Sequence, residues 1–461
     1  MVFSSILFLI WFVPAVFLIY CLAPKACRNG VLLAASLLFY GWSSPWWLVL
    51  ILGDCLVGYV CGRLIESSDQ KRRKAAMIAG IVFVLSLLSI FKYWNFFAEN
   101  LYALNGIDWL IHGLVLPAGI SFYTFQVISY LVDVYRDQAP VQRSFWRFAL
   151  YVCMFFQLIA GPIVRYASIE PELTDRTLSL QQTAEGSRRF LCGLFKKVLL
   201  ANPFFALAAF LEQQADPCVL FFWIRAISVT MYVYYDFSGY SDMAIGLGRM
   251  MGFHLPENFN YPFMAGSFRE FWRRWHMSLT TWFKDYVYIP LGGNRKGKER
   301  QIRNLFVVWL LTGLWHGAAW NFVLWGLLFF VLLTAENFVI PEKFQKSLLY
   351  KIAVRIAICI SFVLFYDSTL FAFGQDLSAM FGLAGLPFVN GQSGYILRSS
   401  IVVLLLGACG ATPWPKQLVL RMNTRYGWFS AAGAIASALL LVVTISRLAA
   451  GTYNPFLYFQ F

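Results

Sequence analysis

Charged residues are scarce in this sequence, and that scarcity excludes most kinds of soluble protein. Of the 461 residues, only 13% are Asp, Glu, Lys or Arg, about half of the roughly 25% that is usual in soluble domains. Hydrophobic residues make up 59% of the chain, which leaves too little polar surface to cover several water-soluble domains. At roughly 20 apolar residues per membrane span, the chain has room for about ten to thirteen crossings. The composition therefore predicts an all-α polytopic membrane protein.

Metal-binding signatures are also lacking. The nine cysteines form no C-x-x-C pair and have no histidine nearby at metal-ligand spacing, so we predict no metal site. The net charge of +14 would favour a nucleic-acid partner in a soluble chain, but Lys and Arg concentrate in the cytoplasmic loops of membrane proteins. We therefore predict a lipid bilayer, and no nucleic acid, around this chain. We find no internal repeat of the kind typical of inverted-repeat transporters.

The N-terminal residues indicate how the chain enters the membrane. The opening run M-V-F-S-S-I-L-F-L-I-W-F-V-P has no basic residue before it and is too long for the core of a signal peptide, so it predicts a retained first span. Lys25 and Arg28 follow, which predicts a cytoplasmic first loop and an N-terminus outside. Residues 1–461 are predicted to form a single integral membrane domain. A cytoplasmic or re-entrant region is expected at about 236–303, because residues 249–303 carry ten Lys or Arg against four acids.

One of the four histidines, His316, lies in the apolar string L-L-T-G-L-W-H-G-A-A-W-N. An ionisable side chain in a membrane segment indicates function, because its burial is costly. Thirteen residues after Arg303, at about 1.5 Å each, His316 would lie near or past the middle of a hydrocarbon core about 30 Å thick. A neutral imidazole there is suited to act as a general base on a hydroxyl, and a structural histidine between helices is the alternative. The same helical face is predicted to carry Trp309, Thr312, Gly313, Ala319 and Trp320.

A second histidine, His276, lies in the string F-R-E-F-W-R-R-W-H-M-S-L-T-T-W-F-K-D-Y. One helical stripe of this segment is predicted to hold Trp272, Trp275, His276, Leu279, Trp282 and Phe283. Because the basic residues fall mainly on other faces, the segment is typical of an amphipathic helix at the cytoplasmic membrane boundary with its aromatic face inward. His276 would then lie beneath His316. A plain interfacial helix, with His276 as a packed neighbour, is the alternative.

Two further polar segments are candidates for a site. The loop G-G-N-R-K-G-K carries Arg295, Lys296 and Lys298 among glycines, which suits the phosphates of a nucleotide-bearing donor. Its spacing is not that of a P-loop, and any cytoplasmic loop has a similar composition. The string Y-Y-D-F-S-G-Y-S-D carries Asp236 and Asp242 after an apolar span. It predicts a broken or re-entrant segment that lines a cavity, with a buried polar helix end as the alternative.

These segments together resemble the membrane-bound O-acyltransferase superfamily, and within it the bacterial branch of alginate O-acetyltransferase membrane subunits and their cellulose-acetylating relatives. The two strings that contain His316 and His276 are the ones specific to this family. The strings that corroborate them are M-V-F-S-S, P-A-G-I-S-F-Y-T-F-Q, Q-L-I-A-G-P-I-V-R, Y-Y-D-F-S-G-Y-S-D-M-A-I-G-L-G, F-N-Y-P-F and Y-N-P-F-L-Y-F-Q-F. The chain departs from the family at Phe365-Tyr366-Asp367-Ser368, where the family carries an Arg-bearing string similar to F-F-R-A.

The resemblance implies about eleven transmembrane helices, with re-entrant or interfacial helices, around a central tunnel in the bacterial inner membrane. His316 matches the family's catalytic histidine, and His276 matches its second histidine on the cytoplasmic side of the same tunnel. The donor would be acetyl-CoA, which is a substrate and not a bound cofactor. The predicted donor-binding residues are Arg295, Lys296, Lys298, Trp272 and Trp275, and the predicted tunnel-lining residues are Asp236, Asp242, Trp315, Trp320 and Asn321.

The implied function is acyl transfer across the membrane for O-acetylation of an exopolysaccharide such as alginate or cellulose, with peptidoglycan also open. A periplasmic partner of the SGNH-hydrolase type, within a polysaccharide synthase and export complex, would complete the transfer. A D-alanyl transferase of the teichoic-acid type is the nearest alternative enzyme. A transporter of polysaccharide or lipid intermediates fits the span count and the buried His and Asp residues equally well, and a scaffold for a synthase complex is a third reading.

Overall fold

The computed structural model describes residues 1–451. The closing string Y-N-P-F-L-Y-F-Q-F, which contributes to the resemblance, lies outside the described residues. None of residues 1–451 lies in a β-strand, and most of them lie in helices. The predicted all-α architecture of a polytopic membrane protein is confirmed.

Twenty-two α-helices follow one another within the described part of the chain. The first eleven are α1 (Val13–Leu22), α2 (Arg28–Gly41), α3 (Trp46–Ile65), α4 (Gln70–Leu88), α5 (Trp94–Asn105), α6 (Ile120–Tyr135), α7 (Phe145–Cys153), α8 (Phe155–Leu158), α9 (Tyr166–Thr174), α10 (Leu180–Phe195) and α11 (Asn202–Glu212). The others are α12 (Val219–Met250), α13 (Phe268–Trp272), α14 (Met277–Phe283), α15 (Lys298–His316), α16 (Trp320–Phe338), α17 (Glu342–Gln345), α18 (Leu348–Tyr366), α19 (Leu370–Met380), α20 (Ser393–Gly410), α21 (Trp414–Arg425) and α22 (Phe429–Ala449). Single π-helical stretches precede α1 at Leu7–Phe12 and join α4 to α5 at Ser89–Tyr93 and α10 to α11 at Lys196–Ala201.

Seven of the described helical segments are long and apolar enough to cross a membrane. They are Trp46–Ile65, Gln70–Asn105, Leu180–Glu212, Trp320–Phe338, Leu348–Tyr366, Ser393–Gly410 and Phe429–Ala449. Two of these segments run 33 and 36 residues because a π-helical stretch continues one α-helix into the next. The apolar helix Leu7–Leu22 is shorter. The number of apolar segments fits a multi-pass membrane protein.

The chain divides into two compact units. The first unit holds residues 1–190, 240–257 and 281–287, and the second holds residues 191–239, 258–280 and 288 onward. Stacked phenylalanines fill part of the first unit, where the rings of Phe3 and Phe8 lie 4.9 Å apart. In the second unit, tryptophans and phenylalanines from α13, α15 and α16 share one core. The single membrane domain expected from the sequence stays a prediction.

The prediction of a broken segment at Tyr235–Asp242 is wrong, because α12 continues through it without a break. The alternative of a helix end is wrong for the same reason. Gly239 does not interrupt the helix. It allows a neighbouring backbone to approach, since a Cβ at this position would lie 2.8 Å from the carbonyl oxygen of Gly193. The glycine serves close helix packing here and not a turn.

Helices α15 and α16 form a hairpin that brings the L-W-H-G string to its apex. Gly313 permits a close approach of α16, because a Cβ there would lie 2.5 Å from the carbonyl oxygen of Phe322. Gly326 faces the carbonyl oxygen of Trp309 in the same way. The chain then leaves α15 at Gly317, whose backbone is extended. The single helical face that was predicted to run from Trp309 to Trp320 therefore ends at His316.

Candidate active site

His316 is the last residue of α15, eighteen residues after Lys298 and about 27 Å along the helix axis. Its side chain is buried. Nδ1 lies 2.7 Å from the carbonyl oxygen of Thr312, one turn earlier in the same helix. A carbonyl oxygen can only accept a hydrogen bond, so the neutral ring carries its proton on Nδ1 and its lone pair on Nε2. The helix itself thus selects the tautomer in which Nε2 is basic.

Aromatic rings enclose the His316 imidazole. The ring centroids of Trp315 and Trp325 each lie 4.9 Å from it, and that of Phe365 lies 5.5 Å away. Trp325 and Phe365 come from α16 and α18, so three helices build this pocket wall. Such a wall excludes water and strengthens the electrostatic interactions of the imidazole. Trp315 thus contacts the His316 ring, and its predicted role in lining a tunnel stays a prediction.

His276 is buried with the other members of its predicted stripe, but the stripe is not one helix. Trp272, Trp275, His276, Leu279, Trp282 and Phe283 are all at most 5% exposed. Helix α13 ends at Trp272 and α14 begins at Met277, and His276 lies between them at φ +45°. This left-handed conformation is costly for a residue with a Cβ. The inward-facing prediction is therefore confirmed, and the continuous helix is wrong because the chain turns sharply at His276.

A neighbouring segment fastens this turn. Nδ1 of His276 lies 3.1 Å from Oδ1 of Asn258. The backbone N–H of Ser278 and its hydroxyl donate to the same oxygen over 3.3 and 2.9 Å. Within residues 1–451, Nε2 of His276 is buried and meets no hydrogen-bond partner. Burial, and after it the electrostatic interaction with nearby His316, lowers the pKa of His276 well below its usual range, so the His276 ring is neutral.

The structure brings the two histidines to one tryptophan. The ring centroids of His276 and Trp315 lie 5.8 Å apart, and Trp315 precedes His316. Phe237 of α12 covers another side of the His276 ring, with centroids 4.7 Å apart. The sequence predicted this pairing only by placing one histidine beneath the other. Two buried imidazoles among aromatic rings form a compact centre for moving a proton.

Two tryptophans of the same core present indole N–H groups with no acceptor among the described residues. They are Nε1 of Trp272 and Nε1 of Trp325, both buried. Their rings lie 5.7 Å apart, and the ring of Trp325 contacts His316. Buried N–H groups are nearly always hydrogen-bonded. Two such donors beside a base indicate a place for a ligand that carries carbonyl oxygens.

Glu336 anchors the start of α13. Its carboxylate is fully buried and accepts from the backbone N–H groups of Phe268 and Arg269 over 2.6 and 3.1 Å. The hydroxyl of Tyr350 donates to the same carboxylate over 2.8 Å. A carboxylate at a helix N-terminus satisfies backbone N–H groups that the helix leaves open. Glu336 thereby fixes the helix that precedes His276.

Asn321 lies beside the end of α18, where the chain departs from the family string. Its Nδ2 donates to the carbonyl oxygens of Asp367 and Phe365 over 3.1 and 3.5 Å. Asp367 accepts from Arg225 of α12 over 2.9 Å, and Asp376 also pairs with this guanidinium. Arg225 lies over the ring of Tyr366, 5.9 Å from its centroid. Arg225 of α12 thus places its guanidinium at this end of α18.

The two aspartates predicted to line a tunnel belong to different units. Asp236, in the second unit, is fully buried and pairs with Lys197 over 2.5 Å. Asp242, in the first unit, pairs with Arg189 over 2.6 Å. Each carboxylate therefore has a cationic partner, which lowers the cost of burying it. The role of both aspartates stays a prediction.

The loop that carries Arg295 and Lys296 is fixed at its base and open at its tip. Asn304 is fully buried and donates to the carbonyl oxygen of Gly293 over 2.9 Å. Arg295 and Lys296 are exposed. Lys298 begins α15 and lies over the ring of Phe338. The cations that the sequence singled out are thus accessible to an anionic ligand.

Some residues of the centre escaped the sequence analysis, and one predicted residue is placed elsewhere. Asn258, Trp325 and Phe365 contact the histidines and had not been singled out individually. The strings N-F-N-Y-P-F and W-N-F-V-L-W-G carry the first two, so their nearness to a resembling motif was the available signal. Trp320 is 52% exposed at the start of α16 and is not buried with the others. No group of three metal ligands occurs among residues 1–451.

Comparison with known proteins assigns the family. The sequence pattern of the MBOAT, membrane-bound O-acyltransferase family, matches residues 32–366. The chain is 36% identical to a probable alginate O-acetylase, AlgI, of Pseudomonas putida, over the full length of both chains. It is 31% identical to a peptidoglycan O-acetyltransferase of Helicobacter pylori, over all of this chain and 98% of the relative.

A more distant relative is a teichoic acid D-alanyltransferase of Bacillus subtilis, 29% identical over 65% of this chain and 75% of the relative. The family match covers both histidines and most of the helices that build the second unit's core. The relatives named for acetyl transfer match the chain from end to end. The chain therefore belongs to the membrane-bound O-acyltransferase family and is an O-acyltransferase.

Proposed function

We propose that this protein is an O-acetyltransferase of the bacterial inner membrane that passes acetyl groups from cytoplasmic acetyl-CoA towards the O-acetylation of an exopolysaccharide, with His316 as the general base. The observation that carries the proposal is the buried His316 imidazole, whose Nδ1 faces the Thr312 carbonyl oxygen and whose Nε2 is left basic. The relatives' names support acetyl as the acyl group and a polysaccharide as its destination.

The reaction needs one proton to be taken and returned. Nε2 of His316 takes the proton of an acceptor hydroxyl while the hydroxyl oxygen attacks the thioester carbonyl carbon. A carbon–oxygen bond forms, the carbon–sulfur bond breaks, and the thiolate takes the proton back from the imidazolium. The products are an O-acetyl ester and free CoA. The aromatic wall of Trp315, Trp325 and Phe365 favours this step because it keeps competing water away.

Acetyl-CoA fits the polar groups of this unit. Its phosphates suit the exposed cations Arg295 and Lys296. The carbonyl oxygens of its thioester arm suit the indole N–H groups of Trp272 and Trp325, which have no acceptor among the described residues. Because only the acetyl end has to reach His316, the bulky anionic donor can stay on the cytoplasmic side. With Lys25 and Arg28 on that side, the N-terminus lies outside.

The acceptor side involves other proteins. We expect a periplasmic partner of the SGNH-hydrolase type and a polysaccharide synthase and export complex to carry the acetyl group to the polymer. Alginate, cellulose and peptidoglycan are all compatible with the names of the relatives and with the site.

The test is ester-linked acetate released by mild base from the host's exopolysaccharide. His316→Ala should abolish it at matched membrane expression while polymer yield stays unchanged. The matched control is His112→Ala, because His112 is an exposed residue of the first unit and should leave acetate at the wild-type level. Loss of polymer yield would indicate a transporter, and unchanged acetate in His316→Ala would reject the catalytic role.

The teichoic acid D-alanyltransferase relative favours one competing function, D-alanyl transfer. The donor would then be a carrier-protein thioester in place of acetyl-CoA. Membrane vesicles that expose the cytoplasmic face separate the two. Labelled acetyl-CoA should label an ester product, and a D-alanyl-charged carrier protein should not. The reverse result would assign the chain to D-alanyl transfer.

A further inference from the structure

The side chain of Asn258 contacts the ring of His276. We propose that Asn258 is a positioning residue that holds His276 in its Nδ1–H tautomer, so that Nε2 of His276 enters the reaction only as a hydrogen-bond acceptor. The proposal starts from three contacts that meet at one atom, Oδ1 of Asn258. They come from Nδ1 of His276, from the backbone N–H of Ser278 and from the hydroxyl of Ser278.

The backbone N–H of Ser278 decides the assignment. Oxygen and nitrogen of an asparagine amide are interchangeable unless a partner distinguishes them. A backbone N–H can only donate, so the atom it faces at 3.3 Å must be the oxygen. An amide oxygen can only accept, so Nδ1 of His276 must be the donor of the 3.1 Å contact. In the neutral ring, the lone pair then lies on Nε2.

The main chain of the same segment holds the turn independently of the Asn258 side chain. The N–H of Met277 donates to the carbonyl oxygen of Asn258 over 3.0 Å, and the N–H of Asn260 donates to the carbonyl oxygen of Arg274 over 2.9 Å. These two bonds lie on either side of His276, whose left-handed backbone needs such support. A change of the Asn258 side chain therefore removes the contacts of His276 and Ser278 with Oδ1 and leaves these two main-chain hydrogen bonds in place.

The consequence concerns both histidines, and it rests on the proposed function. Two neutral imidazoles present an unprotonated Nε2, His316 through the Thr312 carbonyl oxygen and His276 through Asn258. Neither can give a proton from Nε2 before it has received one. His316 must therefore both take the hydroxyl proton and return it to the leaving thiolate. His276, whose Nε2 meets no partner among the described residues, accepts a hydrogen bond from an N–H or O–H group of a substrate.

The test reads the tautomer directly by 15N nuclear magnetic resonance of the full-length protein in liposomes, labelled in histidine. Substitution of His112 and His254 by Gln leaves two histidine signals, and His316→Gln identifies that of His276. The expected wild-type result is a protonated Nδ1 and an unprotonated Nε2 at His276. A protonated Nε2 in the wild-type protein would overturn the proposal without any activity measurement.

Three variants then test Asn258 itself. Asn258→Leu removes the acceptor and should lower the ratio of the Nδ1–H to the Nε2–H tautomer at His276 about 5-fold or more. Asn258→Asp keeps an acceptor and should keep the tautomer, which rescues the effect. Ser278→Ala is the matched control, because it removes one hydrogen bond to Oδ1 and leaves the imidazole contact. An unchanged tautomer in Asn258→Leu would overturn the role of Asn258.

The same variants separate this proposal from the proposed function. Acetyl transfer should fall by up to about 10-fold in Asn258→Leu and stay near wild type in Asn258→Asp and Ser278→Ala. If Asn258→Leu shifts the tautomer but the wild-type protein transfers no acetyl group, the proposal for Asn258 stands and the proposed function is rejected. A loss of activity in Asn258→Leu without a tautomer shift would mean that Asn258 acts only on the backbone turn.

Discussion

The two histidines of the centre are held in opposite ways. His316 ends a regular helix, and the carbonyl oxygen of its own previous turn orients it. His276 lies in a left-handed turn between two short helices, and a side chain eighteen residues away orients it. The first arrangement is local and follows from helix geometry, whereas the second depends on a long-range contact. We therefore expect the two regions to respond differently to substitution.

The largest expected difference is in catalysis. His316→Ala should slow acetyl transfer in membrane vesicles by about 10²- to 10⁴-fold, because it removes the general base. His276→Ala should slow it about 10-fold, because it removes a hydrogen-bond acceptor. Initial rates at matched expression measure both, with His112→Ala as the control. Equal losses for His316→Ala and His276→Ala would break the comparison.

The hydrogen bonds that hold the start of α13 test the comparison in the region of His276. Glu336→Ala should lower the free energy of unfolding by about 3 kcal/mol, because it leaves backbone N–H groups of α13 and the Tyr350 hydroxyl without their acceptor. Thermal unfolding in detergent measures the change. Glu342→Ala is the control, because Glu342 is exposed and its loss should change little. Equal stability of the two variants would contradict the anchoring role of Glu336.

The contact between α15 and α16 tests the same comparison in the region of His316. Gly313→Ala should destabilise the protein by about 1–3 kcal/mol, because a Cβ there would lie 2.5 Å from the Phe322 carbonyl oxygen. Gly374→Ala is a matched control within a helix, since no atom lies within 4 Å of its Cβ position. It should stabilise α19 by up to about 1 kcal/mol. Unfolding midpoints of both variants check these opposite signs.

The smallest expected effect is a dependence of stability on pH. Burial and His316 lower the pKa of His276 in the folded protein, so the unfolded chain binds this proton more readily. The contribution of His276 is then fully present above about pH 6.5 and is lost as pH falls below it. Between pH 7 and pH 5 the wild-type protein should lose more of its free energy of unfolding than His276→Gln does. Parallel pH profiles of the two proteins would show that His276 is not buried as a neutral ring.

The features that could be predicted from the sequence are those that a regular residue pattern encodes. The apolar spans follow from the length of apolar runs, and the buried face of α15 up to His316 follows from a 3.6-residue repeat. The same reasoning failed at His276, because no local pattern marks a left-handed histidine, and at Gly239, because a glycine within a helix can serve packing as well as a break.

Contacts between distant parts of the sequence also escaped prediction. Asn258 and Arg225 are ordinary polar residues in the sequence, and their partners lie 18 and 142 residues away. The departure at Phe365-Tyr366-Asp367-Ser368 was visible in the sequence, but the pairing of Asp367 with Arg225 required the fold. Residue patterns within one helix can be read directly, whereas the partner of a buried polar group depends on how helices pack.

The most direct test of the account measures the rate of acetyl transfer from acetyl-CoA by His316→Gly in membrane vesicles, with and without added imidazole. The account predicts a loss of more than about 100-fold and a partial return of activity as neutral imidazole is added, because the free base replaces the missing side chain. A wild-type rate in His316→Gly would contradict the assignment of His316 as the general base.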